Sequence, residues 1–251
     1  MPVPAPDRLR YLLRSRSRAY RSAVDRSIEA IKALHGPVAV FTSWGKDSVV
    51  MCHLAVTHRT DVTLVHMAGG LPGSEHIHEF FARLGVPVHV IPRDVPRTIA
   101  WLKEIGLYHE RSENTRAGVA RKVARLSDWM RENGYHVQMI GMRAEESLGR
   151  RWNYRARGLT YELANGITTC CPIAHWAVED VWAYIVANDV PYNERVYDAE
   201  THGMTRETIR NSSWLSTIGA QEGQIAWLRR HFPHEYAQLR EHFPQVEALS
   251  R

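Results

Sequence analysis

One stretch, Val38 to Leu54 (VAVFTSWGKDSVVMCHL), limits what this chain can fold into more than any other. Val38, Ala39, Val40 and Phe41 form an apolar run. Thr42 and Ser43 break it, Gly45 follows, and Val49, Val50, Met51 and Leu54 resume at helical spacing. The pattern predicts a strand, a tight loop and a helix. Such a loop lies against unpaired helix N–H groups and the positive end of the helix dipole, which together favour a bound phosphate. Gly45 permits close backbone approach, Ser43 and Ser48 offer hydroxyl donors, and Lys46 adds a positive charge. An ordinary glycine-containing turn in a parallel sheet has the same outline. A Walker A loop does not fit, because Val40 stands where its first glycine belongs and Asp47 follows the lysine.

The flanking pattern alternates in the same way. Val62 to Met67 reads as a buried-type strand, Ala68 to Gly70 as a turn, and about Ser74 to Leu84 as a helix closed by Gly85. Val86 to Ile91 reads as a third strand, Val95 to Met130 as helical, and Val137 to Ile140 as another short strand. The class is therefore α/β, with right-handed crossovers and a mostly parallel sheet covered by helices on both faces. Ligands in such sheets sit beyond the strand C-termini, where Ser43 to Ser48 and Met67 to Gly73 both fall. The loop after Met67 is placed to supply an adenine pocket through backbone groups. Three segments are expected: a basic amphipathic helical stretch over 1–35, a nucleotide-binding α/β domain over 36–192, and a helical extension over 193–251.

With 44% hydrophobic and 24% charged residues, the 251-residue chain has ordinary globular composition. No stretch is apolar enough to cross a bilayer and the start lacks a secretion signal, so a cytoplasmic protein without membrane partners is expected. Cys52, Cys170 and Cys171 cannot build a disulfide framework. The net charge of +5 suits anionic partners. Arg8, Arg10, Arg14, Arg16, Arg18, Arg21 and Arg26 crowd the opening segment. They fit a solvated helix face packed on the domain or on a second copy of the chain, with a nucleic-acid contact as the alternative. Residues 107–117 read as a lid or a solvated connection. His76 and His78, two apart on a helix, face different ways and make no metal pair.

A second constellation follows the strand at Val137 to Ile140: Gly141, Arg143, Glu146 and Arg150, in the sequence GMRAEESLGR. Arg143 is placed to reach a nucleotide phosphate, and Glu146 can hold Arg150 through an i,i+4 pair. This motif resembles that of the phosphoadenosine phosphosulfate (PAPS) reductase-like family. Ser43-Trp-Gly-Lys-Asp-Ser48 resembles the PP-loop of the adenine nucleotide α-hydrolase superfamily. Pro172-Ile-Ala-His-Trp-Ala-Val-Glu-Asp-Val-Trp-Ala-Tyr-Ile185 resembles a third family element, which reads as a core helix built on Trp176, Val181, Trp182 and Ile185.

The resemblance implies a Rossmann-like (HUP-type) fold and a nucleotide substrate. It also exposes a departure: the reductases use a nucleophilic cysteine near the C-terminus, and no cysteine follows Cys171 here. Lys46-Asp47 is similar to the ATP-using members, among them the DNA phosphorothioation ATP pyrophosphatases. That branch implies cleavage of ATP between the α- and β-phosphates, with an acceptor adenylated and a cysteine desulfurase or other sulfur donor as partner. Ser43, Gly45, Lys46 and Ser48 would then hold the leaving pyrophosphate, with Trp44 and Asp47 part of the same nucleotide-binding loop. Arg143 would offset charge, Asp47 would act through Mg²⁺ or by fixing the loop, and Arg206 with Arg210 could receive the acceptor. The alternatives are PAPS reduction and the small subunit of a sulfate adenylyltransferase. An iron–sulfur cluster is not expected, since four thiolates are needed and Cys52 stands apart from Cys170 and Cys171.

Overall fold

The computed structural model describes residues 5–92, 94–105, 126–198, 209, 211 and 223–249. Strand β1 (Val38–Thr42) is buried at every position, as a strand must be when it has neighbours on both edges and cover on both faces. It pairs in parallel with β2 (Val62–Met67) on one side and with β4 (Val137–Ile140) on the other. β3 (Val88–Ile91) adds to β2, and β6 (Thr168–Cys170) to β4, again in parallel. The short β5 (Thr160–Glu162) ends the sheet as its antiparallel edge. The order β3-β2-β1-β4-β6-β5 steps outward from β1 and then reverses, so β1 and β4 flank a topological switch point.

The period of two along β1 divides the interior. Val38 and Val40 join the larger apolar cluster, with Ile31, Val50, Leu54 and Trp182. Ala39 and Phe41 face the other side, against Val65, Met130 and Ile167. Helices α1 (Ala5–Ser15), α2 (Arg18–Lys32), α3 (Lys46–His58), α4 (Glu75–Arg83), α5 (Val95–Ile105), α6 (Leu148–Arg157) and α7 (Val178–Ala187) occupy the crossovers and flanks, and 126–132 is also helical. The α/β class and the mostly parallel sheet expected from the sequence are those observed.

The opening segment is two helices that pack on the α/β body. Tyr11 stacks on Trp182 at 6.1 Å, and Arg14 Nε donates to Asp180 Oδ1 at 2.7 Å. Asp180 also caps α7, its other oxygen accepting the Ala177 N–H at 3.1 Å. Arg16, Arg18, Arg21 and Arg26 remain exposed. Two closing helices, α9 (Gln224–His231) and α10 (Pro233–His242), follow the one-turn helix α8 (Glu194–Tyr197). Among the described residues no helix is long and apolar enough to cross a membrane. The lid or connection expected over 107–117 lies outside the described residues.

Candidate active site

Helix α3 begins at Lys46 rather than at the first apolar residue, Val49, so Lys46, Asp47 and Ser48 form its first turn. The loop before it is closed by its own short side chains. Thr42 Oγ1 accepts the Trp44 N–H at 3.0 Å and donates to Ser48 Oγ at 3.1 Å. Ser48 Oγ in turn donates to the Gly45 carbonyl at 2.9 Å. Trp44 takes a left-handed backbone conformation, φ +54°, uncommon for a large residue. Its indole is held between Phe81, at 5.4 Å and 8°, and His66, at 5.1 Å and 22°. The structure thus puts the Trp44 side chain in the core as an anchor for the loop. Burial lowers the pKa of His66, so the ring stacked on Trp44 stays neutral.

The charges of this turn face one another. Lys46 Nζ lies 3.2 Å from Asp47 Oδ2, and Asp47 Oδ1 accepts from Arg143 Nε at 2.5 Å. Lys46 and Arg143 are each only 3% exposed, and such charges are tolerated only when paired. Burial pulls the Asp47 pKa up, but Lys46 and Arg143 together outweigh it and hold the carboxyl below its usual range. Burial pulls Lys46 and Arg143 down, and the Asp47 charge outweighs that in both. Gly141 makes the meeting possible: a Cβ there would stand 2.9 Å from the Ser48 Cα, so only glycine lets β4 leave the sheet against the first turn of α3. Arg143 also pairs with Glu145, and Glu146 accepts the Arg143 N–H at 2.9 Å while pairing with Arg150. The expected Glu146–Arg150 contact is present, although it bridges a 3₁₀ turn and the start of α6 rather than one helix.

A third group, from far along the chain, completes the enclosure. The Tyr197 hydroxyl accepts the Lys46 N–H at 3.2 Å, and the Lys46 ammonium sits 5.6 Å from the centre of its ring. Asn211 Nδ2 donates to the Ser43 carbonyl at 2.9 Å, and its own carbonyl accepts the Leu71 N–H at 2.8 Å. Asn193 Nδ2 donates to Asn211 Oδ1 and to the Pro72 carbonyl, both at 3.1 Å. These residues join the loop after β1 to the loop after β2. Met67, expected near an adenine pocket, is the half-buried last residue of β2 and packs against the smaller apolar cluster that holds Phe41 and Val65. Arg206 and Arg210 lie outside the described residues. Tyr197 escaped the sequence reading because nothing local marks a contact 151 residues away. Thr42 was visible only as a strand breaker.

On the far side of Arg143 lies a cleft of about 330 Å³, lined by Arg143, Arg150, Asn153, Tyr154, Tyr161 and Cys171 among others. Burial pushes Cys171 up to about 11, and Cys170 and Cys52 each up to about 12, so none is a thiolate at neutral pH. Of the two roles expected of Asp47, action through Mg²⁺ or fixing the loop, the structure displays the second, its two carboxylate oxygens pairing with Lys46 and Arg143. Among the described residues no cluster of three His, Cys, Asp or Glu side chains could hold a metal ion.

The adenosine 5'-phosphosulfate reductase of Neisseria meningitidis serogroup A is 41% identical over 61 residues, covering 24% of each chain. The phosphoadenosine 5'-phosphosulfate reductase of Xanthomonas axonopodis pv. citri is 28% identical over 172 residues, covering 63% of this chain and 66% of that one. The chain thus spans about a quarter of the length of the first relative and just under two thirds of the second. Among solved structures, the Candida glabrata FMN adenylyltransferase in complex with FAD and inorganic pyrophosphate superposes with a TM-score of 0.51 at 13% identity, over 76% of this chain and 69% of that one, which shows a shared fold. The family model for the phosphoadenosine phosphosulfate reductase domain matches residues 37–220, a span that holds both the β1–α3 loop and Arg143, and the chain belongs to that family.

Proposed function

We propose that this chain is an ATP pyrophosphatase that adenylates an acceptor. The observation that carries the reading is the buried row Lys46–Asp47–Arg143 at the C-terminal edge of β1 and β4. An acceptor oxygen attacks the α-phosphorus, the α–β bond breaks, and pyrophosphate leaves with the electron pair. Such chemistry needs positioning and cations more than a dedicated base. Ser43, Gly45, Lys46 and Ser48 hold the leaving group, and Arg143 offsets charge at the phosphates. For a phosphate oxygen to take the Lys46 N–H, the Tyr197 hydroxyl must give it up. A divalent ion here would arrive with the nucleotide, whose phosphates supply the oxygens that Asp47 does not. The acceptor fits a nucleic-acid group awaiting sulfur, as in DNA phosphorothioation, with the sulfur supplied by a separate donor such as a cysteine desulfurase.

The second reading is reduction of a nucleotide phosphosulfate, favoured by the activities of the adenosine and phosphoadenosine phosphosulfate reductases that the chain resembles. It needs a reactive thiolate, and Cys52, Cys170 and Cys171 are all buried with raised pKa values. Titration calorimetry separates the two. Tighter binding of ATP than of adenosine phosphosulfates, lost in Lys46→Ala, supports the pyrophosphatase. The reverse preference, with thiol-dependent sulfite release, supports the reductase.

A further inference from the structure

Helix α6 carries two cationic faces, and only one looks into the cleft. Arg150, Asn153, Tyr154 and Arg157 line the cleft. Leu148, Arg151, Trp152 and Arg155, spaced i, i+3, i+4 and i+7, share the opposite face, and all four are exposed. Leu148 and Trp152, at 68% and 67%, are the most exposed large hydrophobic side chains among the described residues. The helix contains no acidic residue, and Glu145 and Glu146 just before it are already paired with Arg143 and Arg150. The arginines on the outer face therefore present their charge outward.

Packing gives no reason for an indole set in solvent on a face it shares with two exposed arginines. A ligand does. The indole offers a flat face on which a base can stack, and arginines at the preceding position and one turn on suit the flanking phosphates. A membrane asks for a broader apolar face than two residues provide. A duplex keeps its bases stacked within, so the indole is of use to an unpaired one. We propose that the outer face of α6, centred on Trp152, binds an unpaired nucleic-acid strand, with a base on the indole and phosphates on Arg151 and Arg155. The surface continues toward the cleft through Arg157 and through Arg26, whose guanidinium lies 5.8 Å from the centre of the Tyr154 ring. A strand held on Trp152 would also be a candidate for the acceptor. Its role as the acceptor rests on the pyrophosphatase reading; its binding does not.

The test is fluorescence anisotropy of the full chain with a labelled mixed-sequence oligonucleotide, as single-stranded DNA, single-stranded RNA and duplex, without ATP and across a salt series. Trp152→Ala should weaken single-strand binding roughly tenfold with the salt slope unchanged, and Trp152→Phe should restore most of it. Arg151→Gln with Arg155→Gln should flatten the slope of log affinity against log salt by about 1.4, as for two lost phosphate contacts. The tighter of DNA and RNA identifies the natural strand. Circular dichroism should be unchanged in each variant, since every altered side chain is exposed. The proposal is overturned if the wild type binds no single strand at low salt, if duplex binds as tightly, or if all variants bind like the wild type. Capture of phosphatidylserine vesicles in place of the strand, with the same dependence on Trp152, also overturns it. Because no ATP is present, failure here leaves the nucleotide chemistry standing, and a wild type inert toward ATP leaves this surface standing.

Discussion

Two groups of arginine lie within a few residues of each other and are held in opposite ways. Arg143 is buried and bonded to Asp47 and Glu145. Arg151 and Arg155 stand in solvent on a helix without an acidic residue. A buried charge needs partners, so the region around Arg143 is an interlocked set in which each group fixes the next. An exposed charge needs none, and it stays free to meet a ligand. The contrast divides the molecule into an interlocked, buried charge cluster and an open cationic face, and each half of it can be broken separately.

The largest effect is expected from Arg143→Ala. Removing one partner of a buried pair costs about 3–5 kcal/mol, read as a lower urea midpoint with loss of ATP binding. Acid sharpens this result. Asp47 is held below its ordinary 3.8 and Lys46 above its ordinary 10.5. The Asp47 contribution is therefore present above pH 3.8 and lost as pH falls through its depressed value, while that of Lys46 is present below pH 10.5 and lost as pH rises through its elevated one. The stability gap between wild type and Arg143→Ala should stay flat between those limits and shrink on the acid side.

Gly141→Ala comes next. With a Cβ 2.9 Å from the Ser48 Cα, backbone must shift, at a cost of about 1–3 kcal/mol as for other overpacked positions, and ATP affinity should fall because the loop moves. Tyr197→Phe should cost about 1 kcal/mol for the lost hydrogen bond, seen in thermal melts. It should leave ATP affinity equal or improved, since the hydroxyl that competes for the Lys46 N–H is gone. Weaker ATP binding in Tyr197→Phe would mean that the hydroxyl serves the ligand rather than standing in its place. Smallest of all, Arg151→Gln with Arg155→Gln should change stability by less than about 0.5 kcal/mol. A larger loss would mean that this face is packed rather than open.

What could be read in the sequence follows the same division. The spans Val62–Met67 and Val137–Ile140 match the observed strands residue for residue, because short runs rich in Val, Leu, Ile and Met with turn residues after them read as strands. The pairing of Gly141 and Arg143 with the β1–α3 loop was legible because a strand end at the ligand edge has few places to send its next residues. The edge strand β5, Thr160–Glu162, was missed: three mostly exposed residues carry no hydrophobic period. The Trp44 side chain was read as part of the ligand loop, whereas its stacking on Phe81 and His66 joins three separate elements that no local pattern connects. Asn193 and Tyr197 were illegible for the same reason. Their partners are chosen by the fold, and only Asn211 stood near a group that the sequence had marked.

The central claim is that the loop between β1 and α3, with Arg143 beside it, directs cleavage to the α–β bond of ATP. Phosphorus NMR of the products formed by purified wild-type chain with ATP and Mg²⁺ tests it directly. AMP and pyrophosphate, absent with Lys46→Ala, are the expected products; ADP and orthophosphate from the wild type would contradict it.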